Sequence, residues 1–421
     1  MSWSLCLPLM TGHVHVIGAG LAGLSAALAL VEAARTVTVY EAAPVAGGRC
    51  RSYFDRELGL TIDNGNHLLL SGNRAAMRYL DAIGGRAALG GPSEAIFPFV
   101  DLADDRRWTL RPNRGRRAWW VLSRARRVAD TGLLDYRVLR RILRISDDST
   151  IYAMFRQERL YRPLIAPLTV ATLNTQPEQA LVRLLAAVLR ETLMQGGAAC
   201  VPLFPRGGLS AALVDPAVAL LTGRGVTFHF GRRIAGLQII DGAVTALSGP
   251  DGPISLGTSD RVVLAVPPWV AADLLPGLPV PTVFGAIVNV HFRVETDPGP
   301  AGFIGLVAGS AEWVFVKPGH VSTTTSAANR LAEVDADRIA AGIWPNVRAA
   351  LGLRGPMPPW RVVKERRATV AATAAQERRR PNARTDLANL VLAGDWTATG
   401  LPGTIEGAIQ SGETAAGLLA A

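Results

Sequence analysis

The chain has 421 residues, 49% of them hydrophobic, and a formal net charge of +10 at pH 7. That length suits two domains, and that apolar content excludes a disordered chain. Its three cysteines, Cys6, Cys50 and Cys200, are odd in number and far apart, which excludes a disulfide framework or zinc spacing, predicts no metal site, and points to a reducing cytosol.

Met1 to Met10 is short, lacks a basic start and runs straight into the first strand, so no secretory leader is expected. No apolar run reaches the roughly 18 residues that would suggest a membrane span. Val14 to Ile17 is a β-prone run that enters Gly18-Ala19-Gly20-Leu21-Ala22-Gly23. Leu24, Ala27, Leu28 and Leu30 follow with helical spacing, and Val37 to Tyr40 reads as a second strand ending at Glu41. Strand, glycine turn, helix, strand and acid in this order form a dinucleotide-binding unit. Gly18 permits the tight turn, Gly20 lets a pyrophosphate approach the backbone, and Gly23 allows helix and strand to pack closely. The helix N-terminus offers free N–H groups and a partial positive charge to phosphates. Glu41 is placed to accept hydrogen bonds from a ribose.

Gly47-Gly48-Arg49 comes just after that acid and predicts a loop folding back over the pyrophosphate, with the Arg49 guanidinium on phosphate oxygens. From here the sequence resembles flavoproteins of the amine oxidase and phytoene desaturase superfamily. Asp63-Asn64-Gly65-Asn66-His67 predicts a turn before a buried strand, and the resemblance places this segment beside the flavin ring. His67 is the candidate catalytic group, on the expectation that it titrates near neutral pH.

Residues 75–200 are expected to be mainly helical. The stretch 106–144 holds 13 arginines against Asp130 and Asp135, a local excess of +11. Trp119 and Trp120 sit among them, with Leu133, Leu134, Leu139 and Ile142 beyond. Basic residues with tryptophans and an apolar face suit peripheral contact with a membrane; a solvated helix pair fits equally. No nucleic-acid recognition motif accompanies the charge. Leu181 to Leu193 reads as an amphipathic helix. Val226 to Val266 returns to α/β character, and residues 283–325 read as an antiparallel sheet. Asp335 to Leu351 reads as a helix, and Trp360 to Glu365 as a strand.

The C-terminus carries Leu390 to Ala393 as a strand, then Gly394-Asp395-Trp396-Thr397, then Gly403-Thr404-Ile405-Glu406-Gly407 before a helix. Asp395 is expected on a ribityl hydroxyl, with the helix N-terminus aimed at the flavin pyrimidine. Paired with the N-terminal unit, this end points to FAD, and no second glycine fingerprint offers a built-in NADPH site.

Asp63 to Leu70, Leu173-Asn174-Thr175 and Gly394 to Ala408 together resemble the squalene-associated FAD-dependent desaturases, the bacterial hydroxysqualene dehydroxylases of hopanoid biosynthesis. Gly403 and Asn66 depart from that pattern, where alanine and glutamine are usual. The resemblance implies an α/β fold in which a Rossmann-like FAD-binding domain (1–75, 206–270 and 366–421) interleaves with a substrate domain of antiparallel sheet plus helices (76–205 and 271–365). It implies FAD contacts at Gly18, Gly20, Leu21, Ala22, Glu41, Gly48, Arg49, Gly65, Asn66, Ile234, Gly394, Asp395, Gly403, Thr404 and Ile405. The implied substrate is a hydrophobic isoprenoid alcohol, reduced to squalene by a cytoplasmic protein that is peripheral on the membrane's inner face. Nothing in the sequence identifies the electron donor. A carotenoid-type desaturase, an amine oxidase and a non-enzymatic flavin carrier stay open as alternatives.

Overall fold

The computed structural model describes residues 12–420; Cys6 and the Met1–Met10 start lie outside them. β1 (Val14–Ile17) leads through the glycine turn to α1 (Leu21–Glu32) and β2 (Val37–Tyr40). β3 (Thr227–His229), β4 (Arg261–Leu264) and β5 (Leu390–Leu392) complete a five-stranded parallel sheet of order β3-β2-β1-β4-β5. β1, β2 and β5 are buried throughout, as unbroken apolar runs in a sheet covered on both faces require.

The last helix, α2 (Ile405–Ala420), lies against α1. The helices touch backbone to backbone at Gly412, where a Cβ would stand 2.3 Å from the Ala22 carbonyl oxygen. Ser25 Oγ donates to the Ile409 carbonyl at 2.9 Å across the same seam.

A seven-stranded sheet runs in the order Trp360–Val370, Phe284–Phe292, His320–Thr325, Trp313–Lys317, Phe303–Val307, Phe97–Asp101, Arg106–Leu110. It is antiparallel except where Phe303–Val307 meets Phe97–Asp101. One face, with Val288, Val290, Val314 and Val321, packs under the helix Ala336–Leu351 through Ile339, Ile343 and Trp344. The opposite face carries Asn289, His291, Lys317, Ser322 and Thr324 toward the segment 63–67.

The expectation of a mainly helical 75–200 is corrected here. Phe97–Asp101 and Arg106–Leu110 are a hairpin that widens the large sheet. The period is two, with Trp108 and Leu110 buried on one face and Arg107 and Thr109 on the other, while Arg106 begins the buried face from an exposed position, and β-sheet context outweighs the helix propensity of arginine. The rest of the basic stretch is also no helix pair. It winds through one-turn helices at Trp119–Leu122, Arg124–Arg126 and Leu133–Tyr136 before the short α-helix Arg137–Ile142. Pro112, Gly115 and Gly132 interrupt any longer helix. Val182–Glu191 is helical as expected and buries Val182, Leu185 and Leu189 in a core shared with Phe155 and Ile165.

Candidate flavin site between the two ends of the chain

Gly20 caps α1 without a side-chain bond, so the first-turn N–H groups face the cavity side unoccupied by any cap. The three glycines of the turn differ in what surrounds them. At Gly18 (φ +107°) a Cβ would meet the Ala265 carbonyl oxygen at 2.5 Å, and at Gly23 it would meet the Gly18 carbonyl oxygen at 1.9 Å. At Gly20 nothing lies within 4 Å. Two glycines therefore serve packing, and the third leaves open space over the helix terminus. Glu41 is fixed by two backbone donors: Ala19 N–H to Oε2 and Ala43 N–H to Oε1, both at 2.8 Å. Each oxygen keeps a lone pair for a ribose.

From the far end of the chain, Gly394 (φ +149°) turns the backbone after β5; a Cβ there would strike the Trp396 indole nitrogen at 2.4 Å. Trp396 Nε1–H donates to the Val266 carbonyl at 2.9 Å. Arg49 reaches this end directly. It donates from Nη2 to Asp395 Oδ1 and from Nη1 to the Ala368 carbonyl, each at 2.5 Å. The two groups expected on phosphate and ribityl oxygens are thus each other's partners, and a ligand meets only their remaining donors and lone pairs. The buried Arg380 ties the closing loop together by donating to the carbonyls of Asp395 and Leu401 and to the Glu377 carboxylate. No sequence motif marks Arg380, because its work is done on backbone oxygens.

Gly403 departs from the usual alanine for a local reason. A Cβ there would sit 3.1 Å from Thr369 Cβ and 3.2 Å from Asp395 Oδ2. The Asn66 amide is likewise fitted to its place. It accepts from Ser322 Oγ at 2.7 Å and donates to Thr324 Oγ1 at 3.1 Å, so the shorter side chain is fully engaged by the large sheet. Below it, Asp63 holds the segment's start through Lys317 Nζ (2.8 Å), Ser52 Oγ (2.6 Å) and the Leu209 N–H (2.7 Å). Burial alone would raise the Asp63 carboxyl, but the Lys317 ammonium and these donors more than offset it and hold it below the usual range.

His67 does not titrate near neutral pH, contrary to expectation. Burial pushes it down to about 4, against the pull of Asp63, with the Arg49 and Lys317 charges adding to the effect. The nearby pair His291 Nδ1 and His320 Nε2, 2.9 Å apart, is also neutral. Burial lowers them to about 3 and about 4.

These elements enclose one cavity of about 570 Å³, within the range for small-molecule sites. Its wall includes Gly18, Gly20, Leu21, Ala22, Glu41, Gly48, Arg49, Gly65, Asn66, His67, Ile234, Gly394, Asp395, Gly403, Thr404 and Ile405. Sequence reasoning missed Val266, Pro267, Trp269, Asn289, Glu365, Arg367 and Thr369, which also line it. Val266 and Pro267 follow β4, and ligand crevices open at the carboxyl ends of parallel strands, so their position was a usable signal. Arg367, 4.6 Å over the Trp269 ring, had none.

A glycine cradle over a helix N-terminus, a ribose acid and a second strand-to-helix turn define a dinucleotide-binding flavoprotein site. The chain belongs to the flavin containing amine oxidoreductase family, whose pattern matches residues 21–420. Its relatives narrow this to the hydroxysqualene dehydroxylases. It is 47% identical to that of Sinorhizobium fredii over 97% of this chain and 98% of the relative. It is 42% identical to that of Zymomonas mobilis over 96% and 98%. Among solved structures, cyclohexylamine oxidase from Brevibacterium oxydans superposes with a TM-score of 0.72 over 97% of this chain and 99% of that one, at 14% identity, which establishes the shared fold.

FAD is the cofactor of this family, and the open space at Gly20 is what its pyrophosphate requires. Gly20→Val is expected to abolish FAD retention while the protein still folds, because the new Cβ has no protein atom within 4 Å. Gly23→Val is expected to lose both flavin and fold. Flavin absorbance and thermal unfolding of the purified variants check this, and a yellow Gly20→Val protein would refute it.

Stability should also fall in acid. Below pH 6.5 the unfolded chain binds protons that His67, His291 and His320 refuse until about pH 4 or lower in the folded state. Stability is then complete above pH 6.5 and declines as the pH drops toward 4. Urea unfolding at pH 7 and pH 5 measures the decline, which should be shallower in His320→Gln; an identical slope in the variant would contradict this assignment.

Proposed function

We infer that this protein is a hydroxysqualene dehydroxylase, an FAD-dependent oxidoreductase acting on an isoprenoid allylic alcohol. The observation that carries the reading is 42–47% identity to three such enzymes over 96–98% of the chain. It sits on a fold whose two ends wall one nucleotide cavity. The reaction removes a hydroxyl as water and places a hydride on the allylic carbon, so it consumes one hydride and one proton. Reduced FAD, when bound, supplies the hydride.

The wall residues from Gly18 to Ile405 named above are our assignment for holding FAD, with the cofactor-binding and substrate parts divided as the sequence suggests. His67 is assigned to the substrate side. A neutral imidazole orients the departing hydroxyl by hydrogen bonding and carries no spare proton at pH 7. Water exclusion and positioning are the other contributions of the chain. Lysine chemistry finds no support: Lys317 is held on Asp63, Lys364 donates to the Val334 carbonyl at 2.6 Å, and neither lines the cavity.

No described helix is long and apolar enough to cross a membrane. We assign membrane contact to residues 106–144 instead, on the cytoplasmic face, where a hydrophobic substrate could be drawn from the bilayer. What supports this is exposed apolar surface among arginines: Trp119 (61% exposed), Leu122 (57%), Leu133 (48%) and Leu134 (62%). Trp120, buried against Tyr136 with ring centroids 5.1 Å apart, holds the two one-turn helices together.

Anaerobically reduced protein mixed with hydroxysqualene is expected to regain the oxidised flavin spectrum and yield squalene. Oxidised protein mixed anaerobically with phytoene should keep its oxidised spectrum; bleaching of the flavin by phytoene, with no reoxidation of reduced protein by hydroxysqualene, would replace this reading with a desaturase. His67→Ala is expected to slow the conversion by about tenfold or more, and an unchanged rate would remove His67 from the site. Vesicle sedimentation should show binding to anionic but not neutral vesicles, lost in the double variant Leu133→Ser/Leu134→Ser; binding indifferent to lipid charge would exclude the basic face.

A further inference from the structure

A second cavity, of about 270 Å³, opens away from the flavin site. Its wall brings together Arg106 and Trp108 from the edge strand, Asp130, the pair Arg159 and Arg162, and Asp101. Nothing in the dehydroxylation chemistry uses this place. The two carboxylates are already matched: Asp101 Oδ2 by Arg162 Nη2 at 3.1 Å, and Asp130 Oδ2 by Arg106 Nη1 at 2.8 Å. Arg106 Nε also pairs with Asp104 Oδ2, just outside the wall, at 2.7 Å, so three guanidiniums meet three carboxylates, and the one left without an ion-pair or hydrogen-bond partner among the described residues is Arg159. Unused donors remain on Arg106 and Arg162, since each guanidinium offers five N–H groups. Trp108 adds a further donor. Its indole is 9% exposed, and its Nε1–H has no acceptor, although buried polar groups are almost always paired.

Surplus donors around one unpaired guanidinium define a site for an anion rich in acceptor oxygens. A phosphodiester has that geometry, and guanidinium groups bind it with charge-assisted hydrogen bonds. The segments forming the wall also carry exposed apolar residues. Leu133 and Leu134 follow shortly after Asp130, and Tyr152 (39% exposed) meets the Tyr161 ring edge-on at 6.1 Å beside Arg162. The wall segment 128–131 thus runs directly into the exposed apolar residues Leu133 and Leu134 assigned above to the membrane.

We propose that this cavity binds the phosphodiester headgroup of an anionic lipid, an inference that rests on the membrane-facing reading of residues 106–144. Lipid docking there would fix how deeply and at what angle the protein sits on the bilayer.

The test is calorimetric titration of the FAD-loaded full-length protein with dihexanoylphosphatidylglycerol below its micelle concentration. Saturable binding is expected, weakened about tenfold in Arg159→Ala and in Trp108→Phe, the loss of one charge-assisted or buried hydrogen bond. Arg354→Ala, on an exposed turn beyond the large sheet's covering helix, should bind like the unaltered protein. Because Trp108 is buried and its variant could fail to fold, the exposed Arg159 carries the test alone if needed. Inorganic phosphate distinguishes the ligand's source: affinity equal to the lipid's would overturn the lipid assignment in favour of free phosphate. Absence of saturable binding, or binding that both variants leave unchanged, would overturn the site. Vesicle sedimentation separates the two readings. Binding lost in Leu133→Ser/Leu134→Ser but kept in Arg159→Ala, with no titration by the soluble lipid, would keep the membrane face and remove the cavity.

Discussion

The seam between α1 and α2 is the contact on which everything else depends. These helices come from opposite ends of the chain, and they approach closely enough that Gly412 cannot carry a side chain against Ala22 and Ala26. Ser411 Oγ, on the same helix, accepts the Gly394 N–H at 2.8 Å, so the seam also sets the closing turn. Glu406 in its first turn accepts from the N–H groups of Ala75 and Ala76 at 2.9 and 2.8 Å, capping a third helix. Closing a loop this long carries an entropic cost that grows slowly with length. The burial of two helix faces and the parallel sheet beneath them supplies the opposing term.

Once the ends are joined, the site follows from which face of each sheet is free. Both faces of the parallel sheet are covered, which leaves only the carboxyl ends of its strands for a ligand. One face of the large sheet is sealed by Ile339, Ile343 and Trp344. Its other face presents asparagines, histidines and threonines to the segment 63–67, and there nearly every polar group is engaged by another. Such a network is rigid when fully paired, and it places His67 and Asn66 at the cavity without a helix or strand of their own.

Sequence patterns made the nucleotide half legible because its constraints are local. Gly18, Gly20, Gly23 and Glu41 act within one strand–helix–strand unit, and β1, β2, β4 and β5 are short apolar runs with clear ends. The hairpin Phe97 to Leu110 was missed because its pairing partner, Phe303 to Val307, lies some two hundred positions away and decides its state. Arg106 to Arg144 misled for a related reason. Arginine favours helix, but proline and glycine interrupt the run, and Trp120 packs on Tyr136 instead of along a continuous helix. His67 lines the cavity but its charge was misjudged, since burial is a tertiary property that no local pattern reveals. Arg49 and Asp395 were each assigned to a ligand, when the fold first assigns them to one another.

The electrostatic character of the cavity fits a reaction that passes through developing positive charge in an apolar substrate. The histidines near the flavin cavity are held neutral by burial. Of the charges around it, Arg49 is paired with Asp395 at 2.5 Å, Lys317 behind the wall with Asp63 at 2.8 Å, Glu365 accepts from Asn64 Nδ2 at 3.0 Å, and Arg367 lies over the Trp269 ring. A free carboxylate beside an allylic cation would trap it, and a free cation would oppose its formation. Neutral hydrogen-bonding groups do neither, and their fixed dipoles can stabilise charge as it appears without reorganising. The chain's contribution to such a step is then geometry and dryness.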